Sequence, residues 1–143
     1  MTFEEINGET RLHVAARFGR VNTARHLIEL GADTNARNKD GRGPLHLAVT
    51  ADAEAVFQLL VRSRTCHIDM QSLDGSTALM DAVRFQANNL VEDLINTGAK
   101  VNLVDNSGKT GLHWSAAINN FEAAAFLLKN GAKVDAQDNK VMV

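Results

Sequence analysis

The chain has one cysteine, Cys66, in 143 residues. No intrachain disulfide can form, which removes the small bridge-stapled secreted scaffolds and favours a reducing compartment. Long apolar runs are missing too: the longest, AAAFLL at 123–128, falls far short of the ~20 residues a membrane-spanning helix needs. The opening MTFEEINGET is acidic and polar, without the basic and then apolar regions of a secretory signal. Nor does one sign of charge dominate. Fifteen Lys and Arg against seventeen Asp and Glu leave a formal net charge of −2, which draws the chain toward neither nucleic acid nor anionic lipid without a local patch. These absences predict a soluble intracellular chain, or the intracellular part of a longer protein, of a length that suits one domain.

What is present is a period. Glycines at 8, 41, 75 and 108 are separated by 33, 34 and 33 residues, and each is followed four places on by a leucine: Leu12, Leu45, Leu79 and Leu112. Beside those leucines stand His13, His46, Met80 and His113, and further along come the apolar pairs Leu27-Ile28, Leu60-Val61, Leu94-Ile95 and Leu127-Leu128. Gly-Ala closes three of the units, at 31–32, 98–99 and 131–132, while the second has Arg64-Thr65. A repeat of this length signals a stacked array, in which each unit covers its neighbour's apolar face and stability accumulates by nearest-neighbour contacts.

The local chemistry predicts paired helices joined by turns. Thr10, Thr77 and Thr110 are placed as N-caps, Pro44 suits a first helical position, and the Gly-Ala pairs supply left-handed C-caps. Small residues at 15, 16, 48, 82, 115 and 116 allow the helices to approach closely. The residues TRLHVA, GPLHLA, TALMDA and TGLHWS, with the closing Gly-Ala, resemble the ankyrin repeat. The resemblance implies an all-α ankyrin-repeat solenoid of four helix-turn-helix units joined by hairpin-like turns. The units fall at about 6–38, 39–72, 73–105 and 106–138, with 139–143 the start of a further repeat or a boundary.

Several residues invite catalytic or cofactor readings. Gly41-Arg42-Gly43 lacks the third glycine and preceding strand of a dinucleotide loop, and the Gly-Lys-Ser/Thr of a Walker loop, so it is predicted to be a repeat turn. Equivalent histidines on helices packed roughly 8–10 Å apart cannot share one metal ion. His13, His46 and His113 are instead expected to use both ring nitrogens on turn backbone, a role Met80 cannot fill, and the third unit is expected to be looser for it. Cys66-His67 is read as part of a loop, because adjacent side chains point apart and no third residue can be nominated to orient them. A hydrolase using that pair is the least supported reading. Asp81 stands where Val14, Leu47 and Trp114 stand in the other units; it is read as paired with Arg84 one turn on or as a cost the fold tolerates, with a catalytic role the least favoured of three readings. No cofactor, metal site or enzymatic activity is expected.

In ankyrin folds the turn tips and the exposed side of the first helices form the recognition surface. There this sequence places Arg17-Phe18, Arg84-Phe85 and Ile118, with Ala51 between, and Arg42 and Lys109 at the tips. Arginine beside an aromatic is the composition of interface hot spots, and Phe18, Ala51, Phe85 and Ile118 form a ladder suited to the apolar face of a helix. The opposing reading packs the phenylalanines under neighbouring turns and leaves only the arginines wet.

Three stretches, ADAEAVFQLLVRSR, LVEDLINTGAKVNLVDNSGKTGLHW and SAAINNFEAAAFLLKNGAKVDAQ, together with Trp114, resemble the inner repeats of the intracellular ankyrin domain of the Notch receptor family. The resemblance implies a non-catalytic module that, after release from a single-pass membrane receptor, acts in cytoplasm and nucleus. Its implied partners are a CSL-type DNA-binding transcription factor and a Mastermind-type coactivator helix, with no direct contact to nucleic acid or membrane. It also implies modification by an asparaginyl hydroxylase at Asn35 and Asn102, each eight residues after a leucine, Leu27 and Leu94; the matching positions elsewhere hold Asp69 and Asp135. A generic ankyrin scaffold serving another cytosolic or membrane-associated protein is the alternative.

Overall fold

A computed structural model describes residues 7–134. It contains eight helices in four antiparallel pairs: α1 (Arg11–Arg17) with α2 (Val21–Glu29), α3 (Pro44–Thr50) with α4 (Glu54–Val61), α5 (Ala78–Arg84) with α6 (Asn88–Thr97), and α7 (Gly111–Ala117) with α8 (Phe121–Lys129). The inner helices stack α1 on α3 on α5 on α7, and the outer helices stack α2 on α4 on α6 on α8. The boundary residues 139–143, and the ends of the first and last predicted units, lie outside the described residues.

The short inner helices start where the sequence places their caps. Thr10, Thr77 and Thr110 each accept the amide of the third helical residue on the side-chain oxygen, and Pro44 occupies a first helical position. Leu12, Leu45 and Leu79 are buried between the layers with Val56, Phe57, Leu60, Leu90, Leu94 and Leu127. Ala15, Ala16, Ala48, Ala82 and Ser115 are buried where inner helices meet. Ala116 is exposed instead, because no further described helix covers its face of α7.

The histidines act as staples between units. The backbone N–H of Thr10 donates to His13 Nδ1 (3.0 Å) and that of Gly43 donates to His46 Nδ1 (3.1 Å). With Nδ1 accepting, the proton sits on Nε2, which donates to the Arg42 carbonyl from His13 (2.9 Å) and to the Ser76 carbonyl from His46 (2.9 Å), each in the next turn. His113 Nδ1 accepts from Thr110 N–H in the same way (3.0 Å). Burial pushes the His46 imidazole down to about 4, which keeps the staple neutral at physiological pH. Met80 is fully buried in the same slot and has no ring nitrogen to offer to either partner.

The turns are joined by a ladder of their own. Lys39 N–H donates to Asn7 O (2.9 Å), Leu73 N–H to Asp40 O (3.0 Å) and Asn106 N–H to Asp74 O (3.0 Å). Arg37 and Gln71 reinforce it, reaching the carbonyls of Gln71 (2.7 Å) and Val104 (2.7 Å) one unit on. Such close approach explains the periodic glycine: at Gly75, whose φ is +86°, a Cβ would lie 2.6 Å from Asn106 N, nearer than any real Cβ contact. Between inner and outer helices one residue per unit is also left-handed, Gly19, Asp52, Gln86 and Asn119; Gln86 is the costliest, being neither glycine nor a short Asx side chain.

Candidate protein-interaction surface

The C-terminal ends of the inner helices and the turn tips form one wall. On it Phe18 is 61% exposed and Phe85 58%, because each is the C-cap of a short helix whose apolar positions are already spent on the core. Ala51 is exposed and Ile118 half-buried. Phe18 and Phe85 therefore do not lie under neighbouring turns; they are wet, as Arg17 is, although the arginines are also tethered by partners.

A groove of about 370 Å³ opens on this wall, lined by Glu9, Arg17, Arg42, Asp81, Arg84 and Phe85 among others. Arg17 is paired with Glu9, whose carboxylate is buried and also receives Asn38 Nδ2 (3.2 Å). Burial alone raises the Glu9 carboxyl, but the bonds from Arg17 and Asn38 and the guanidinium charge outweigh it, and the group lies below its usual range.

The second carboxylate behaves differently. Asp81 is not paired with Arg84, its helical neighbour; its partner is Arg42, from the tip of the preceding unit. The helix-internal expectation fails because α3 packs directly on α5 and brings the Arg42 tip over the Asp81 side chain. Burial raises the Asp81 carboxyl to about 6, against the opposing pull of Arg42 and Arg84. Arg84 turns instead toward the fourth unit, where its guanidinium carbon lies 4.7 Å from the centre of the Trp114 ring, while Nη1 donates to Ser76 Oγ (3.3 Å) in the tip of its own unit. Trp114 is fixed in turn by Nε1 donating to Asp105 Oδ2 (3.0 Å).

Four of the candidate binding residues, Arg17, Arg42, Arg84 and Phe85, thus line a single groove. Phe18 stands on the same wall, while Lys109 and Ile118 belong to the fourth unit beyond the groove lining. Glu9 and Trp114 orient the arginines, a role that spacing alone could not reveal.

Asn35 and Asn102 lie apart from the groove, at the junctions that follow α2 and α6. Asn35 Oδ1 accepts His67 N–H (2.7 Å) and Nδ2 donates to Thr65 O (2.6 Å). Asn102 does the same with Lys133 N–H (3.0 Å) and Gly131 O (3.1 Å). Asp69 accepts Lys100 N–H at the corresponding place (3.0 Å), whereas Asp135 is outside the described residues. Cys66 is half-buried against the core beside the first of these bridges, and burial pushes its thiol up to about 11, so the thiolate that a nucleophile needs is suppressed.

Comparison with known proteins agrees with the repeat. The family model described as "Ankyrin repeats (3 copies)" matches residues 1–72 and 50–138. The chain is 52% identical over 133 residues to neurogenic locus notch homolog protein 1 of Xenopus laevis and of Mus musculus, and to neurogenic locus notch homolog protein 2 of Homo sapiens. In each case the match covers 93% of this chain and 5% of the relative's length.

Proposed function

The chain belongs to the ankyrin-repeat family, whose repeats are non-catalytic protein-interaction modules, and from that premise we propose that it is the partner-binding segment of a Notch-type signalling receptor. On this reading it engages a CSL-type DNA-binding transcription factor and a Mastermind-type coactivator, in cytoplasm and nucleus after release from the membrane. Among the described residues no helix is long and apolar enough to cross a membrane. The observation that carries the reading is the exposure of Phe18 and Phe85 on the wall where buried carboxylates hold Arg17 and Arg42 and the Trp114 ring holds Arg84. Aromatic anchors next to oriented cations suit a helix with an apolar face and polar flanks. The 52% identity to Notch homologues supports it.

The test is a Phe18→Ala, Phe85→Ala double variant, assayed by calorimetric titration with a Mastermind-type helix in the presence of CSL, in a chain carrying the complete array. Affinity is expected to fall at least about tenfold, while stability changes by less than about 0.5 kcal/mol per exposed site. Unchanged affinity, or an affinity lost together with helicity, would overturn the reading.

The same proposal makes Asn35 and Asn102 acceptors for an asparaginyl hydroxylase. Each asparagine bridges two junctions through both ends of its amide, so an enzyme reaching the side chain has to open that bridge first.

A further inference from the structure

The junction between α4 and the following tip differs in sequence from those after the other outer helices. After α2, α6 and α8 the chain leaves through a left-handed glycine, Gly31, Gly98 and Gly131. After α4 the corresponding stretch is Arg62-Ser63-Arg64-Thr65-Cys66, in the one repeat that is a residue longer. Arg62, Arg64 and Thr65 are exposed, and among the described residues neither arginine is held in an ion pair. Thr65 is the centre of a hydroxyl cluster: Oγ1 is 3.0 Å from Thr34 Oγ1 of the preceding junction and 3.0 Å from Ser63 Oγ. The turn is held locally by Ser63 N–H to Leu60 O (3.0 Å) and Cys66 N–H to Ser63 O (3.3 Å), and straightening it has also to open the Asn35 bridge to Thr65 O and the Thr34 contact.

We propose that Thr65 is a phosphoryl acceptor for an arginine-directed protein kinase, whose acidic substrate groove reads Arg62 three residues and Arg64 one residue before the hydroxyl. In the transfer, Thr65 Oγ1 forms a bond to the γ-phosphorus of ATP, the bond from that phosphorus to the bridging oxygen breaks, ADP leaves with the electron pair, and the hydroxyl proton passes to the kinase's carboxylate base. The fold contains its own control. Thr23 also has an arginine three residues before it, Arg20, and is exposed, yet it lies in α2, where the helix withholds the extended backbone a kinase cleft requires.

Phosphorylation has a structural consequence at the same junction. Thr65 Oγ1 becomes an ester oxygen that can no longer donate, so the bond to the buried Thr34 hydroxyl across the first and second units survives only with Thr34 as the donor. The dianion also crowds the carbonyl that receives Asn35 Nδ2. The contact between the first helix pair and the rest of the stack weakens, and amides of α1 and α2 exchange faster.

The folded chain is incubated with the catalytic subunit of cyclic-AMP-dependent protein kinase and ATP, and in parallel with an acidic-directed kinase; sites are mapped by fragment mass spectrometry. The expected result is one phosphoryl group at Thr65 from the first kinase only, none at Thr23, and a rate at least about tenfold lower for Arg62→Ala. Far-UV circular dichroism verifies that this exposed-site variant stays folded, and Arg64→Ala supplies a second variant should it not. Absence of modification at Thr65, equal modification at Thr23, or a rate indifferent to loss of both arginines overturns the proposal.

Discussion

Replacing Asp81 with leucine, the residue found at the corresponding place in α3, puts a number on the one carboxylate that the repeat pattern forbids. Burial moves the Asp81 carboxyl from 3.8 to about 6 even with Arg42 and Arg84 drawing it down, which makes the buried anion unfavourable by roughly 3 kcal/mol relative to water. The leucine variant removes that cost but leaves Arg42 without its partner. Because the Arg42 side chain is 20% exposed, its guanidinium can turn into the groove and be hydrated, so part of the gain survives: about 1–2 kcal/mol of added stability at neutral pH. The folded pKa lies above the unfolded one, so the carboxyl's contribution to wild-type stability is complete below 3.8 and is lost as pH rises through about 6. The advantage of the variant therefore shrinks on acidification. Asp74, which is coupled to both Asp81 and Arg42, is held at about 2 and stays ionised throughout the range measured, while His46, Glu9 and Asp105 titrate in both chains. Urea unfolding followed by circular dichroism, for both chains between about pH 4.5 and about pH 7.5, measures it. A variant less stable than wild type by the same amount at every pH would refute the reasoning and show that the Arg42–Asp81 pair is a net stabiliser.

Met80→His is expected to restore the missing staple, with Nδ1 accepting from Thr77 N–H and Nε2 donating to the Lys109 carbonyl, which already accepts Asp105 N–H (2.9 Å) as the Arg42 and Ser76 carbonyls do in their turns. Two net hydrogen bonds are worth about 1–2 kcal/mol less whatever packing Met80 supplied, so the denaturation midpoint should rise; a fall would mean that the thioether packs better than the imidazole bonds. For the asparagines, incubation with an asparaginyl hydroxylase should add one oxygen to Asn35 and to Asn102, and faster to each after mild destabilisation with urea; mass spectra in which neither gains oxygen would remove them as acceptors.

The elements legible in the sequence are those set by a residue's own chemistry: the threonine caps, Pro44, the glycine turns, the leucine core and the histidines that bond backbone. Each needs only a short stretch of chain to be specified. The site was half legible. The placing of Phe18 and Phe85 at the ends of the first helices follows from counting along the repeat, but their exposure, which competed with packing under neighbouring turns, and the partners of the arginines do not. Asp81 and Arg42 are 39 residues apart, and their meeting depends on how far one unit is rotated and shifted against the next, which no local pattern encodes. The same holds for Asn120, whose Nδ2 reaches Val83 O (3.1 Å) and Asn88 Oδ1 (2.9 Å) in the preceding pair, and for Gln86, whose left-handed backbone is imposed by the helices on either side.

The longer second repeat places its extra residue between α4 and the next tip, while the backbone ladder of the tips runs on undisturbed through Leu73 to Asp40 and Asn106 to Asp74. Length is thus decoupled from alignment: the far side of the array absorbs the added residue in a turn still bridged to the first unit through Thr34 and Asn35, and the groove side keeps its spacing. That makes the stretch after Arg62 the natural place to graft a reporter or an affinity tag, since an insertion there would hang behind the molecule and leave its recognition wall in register.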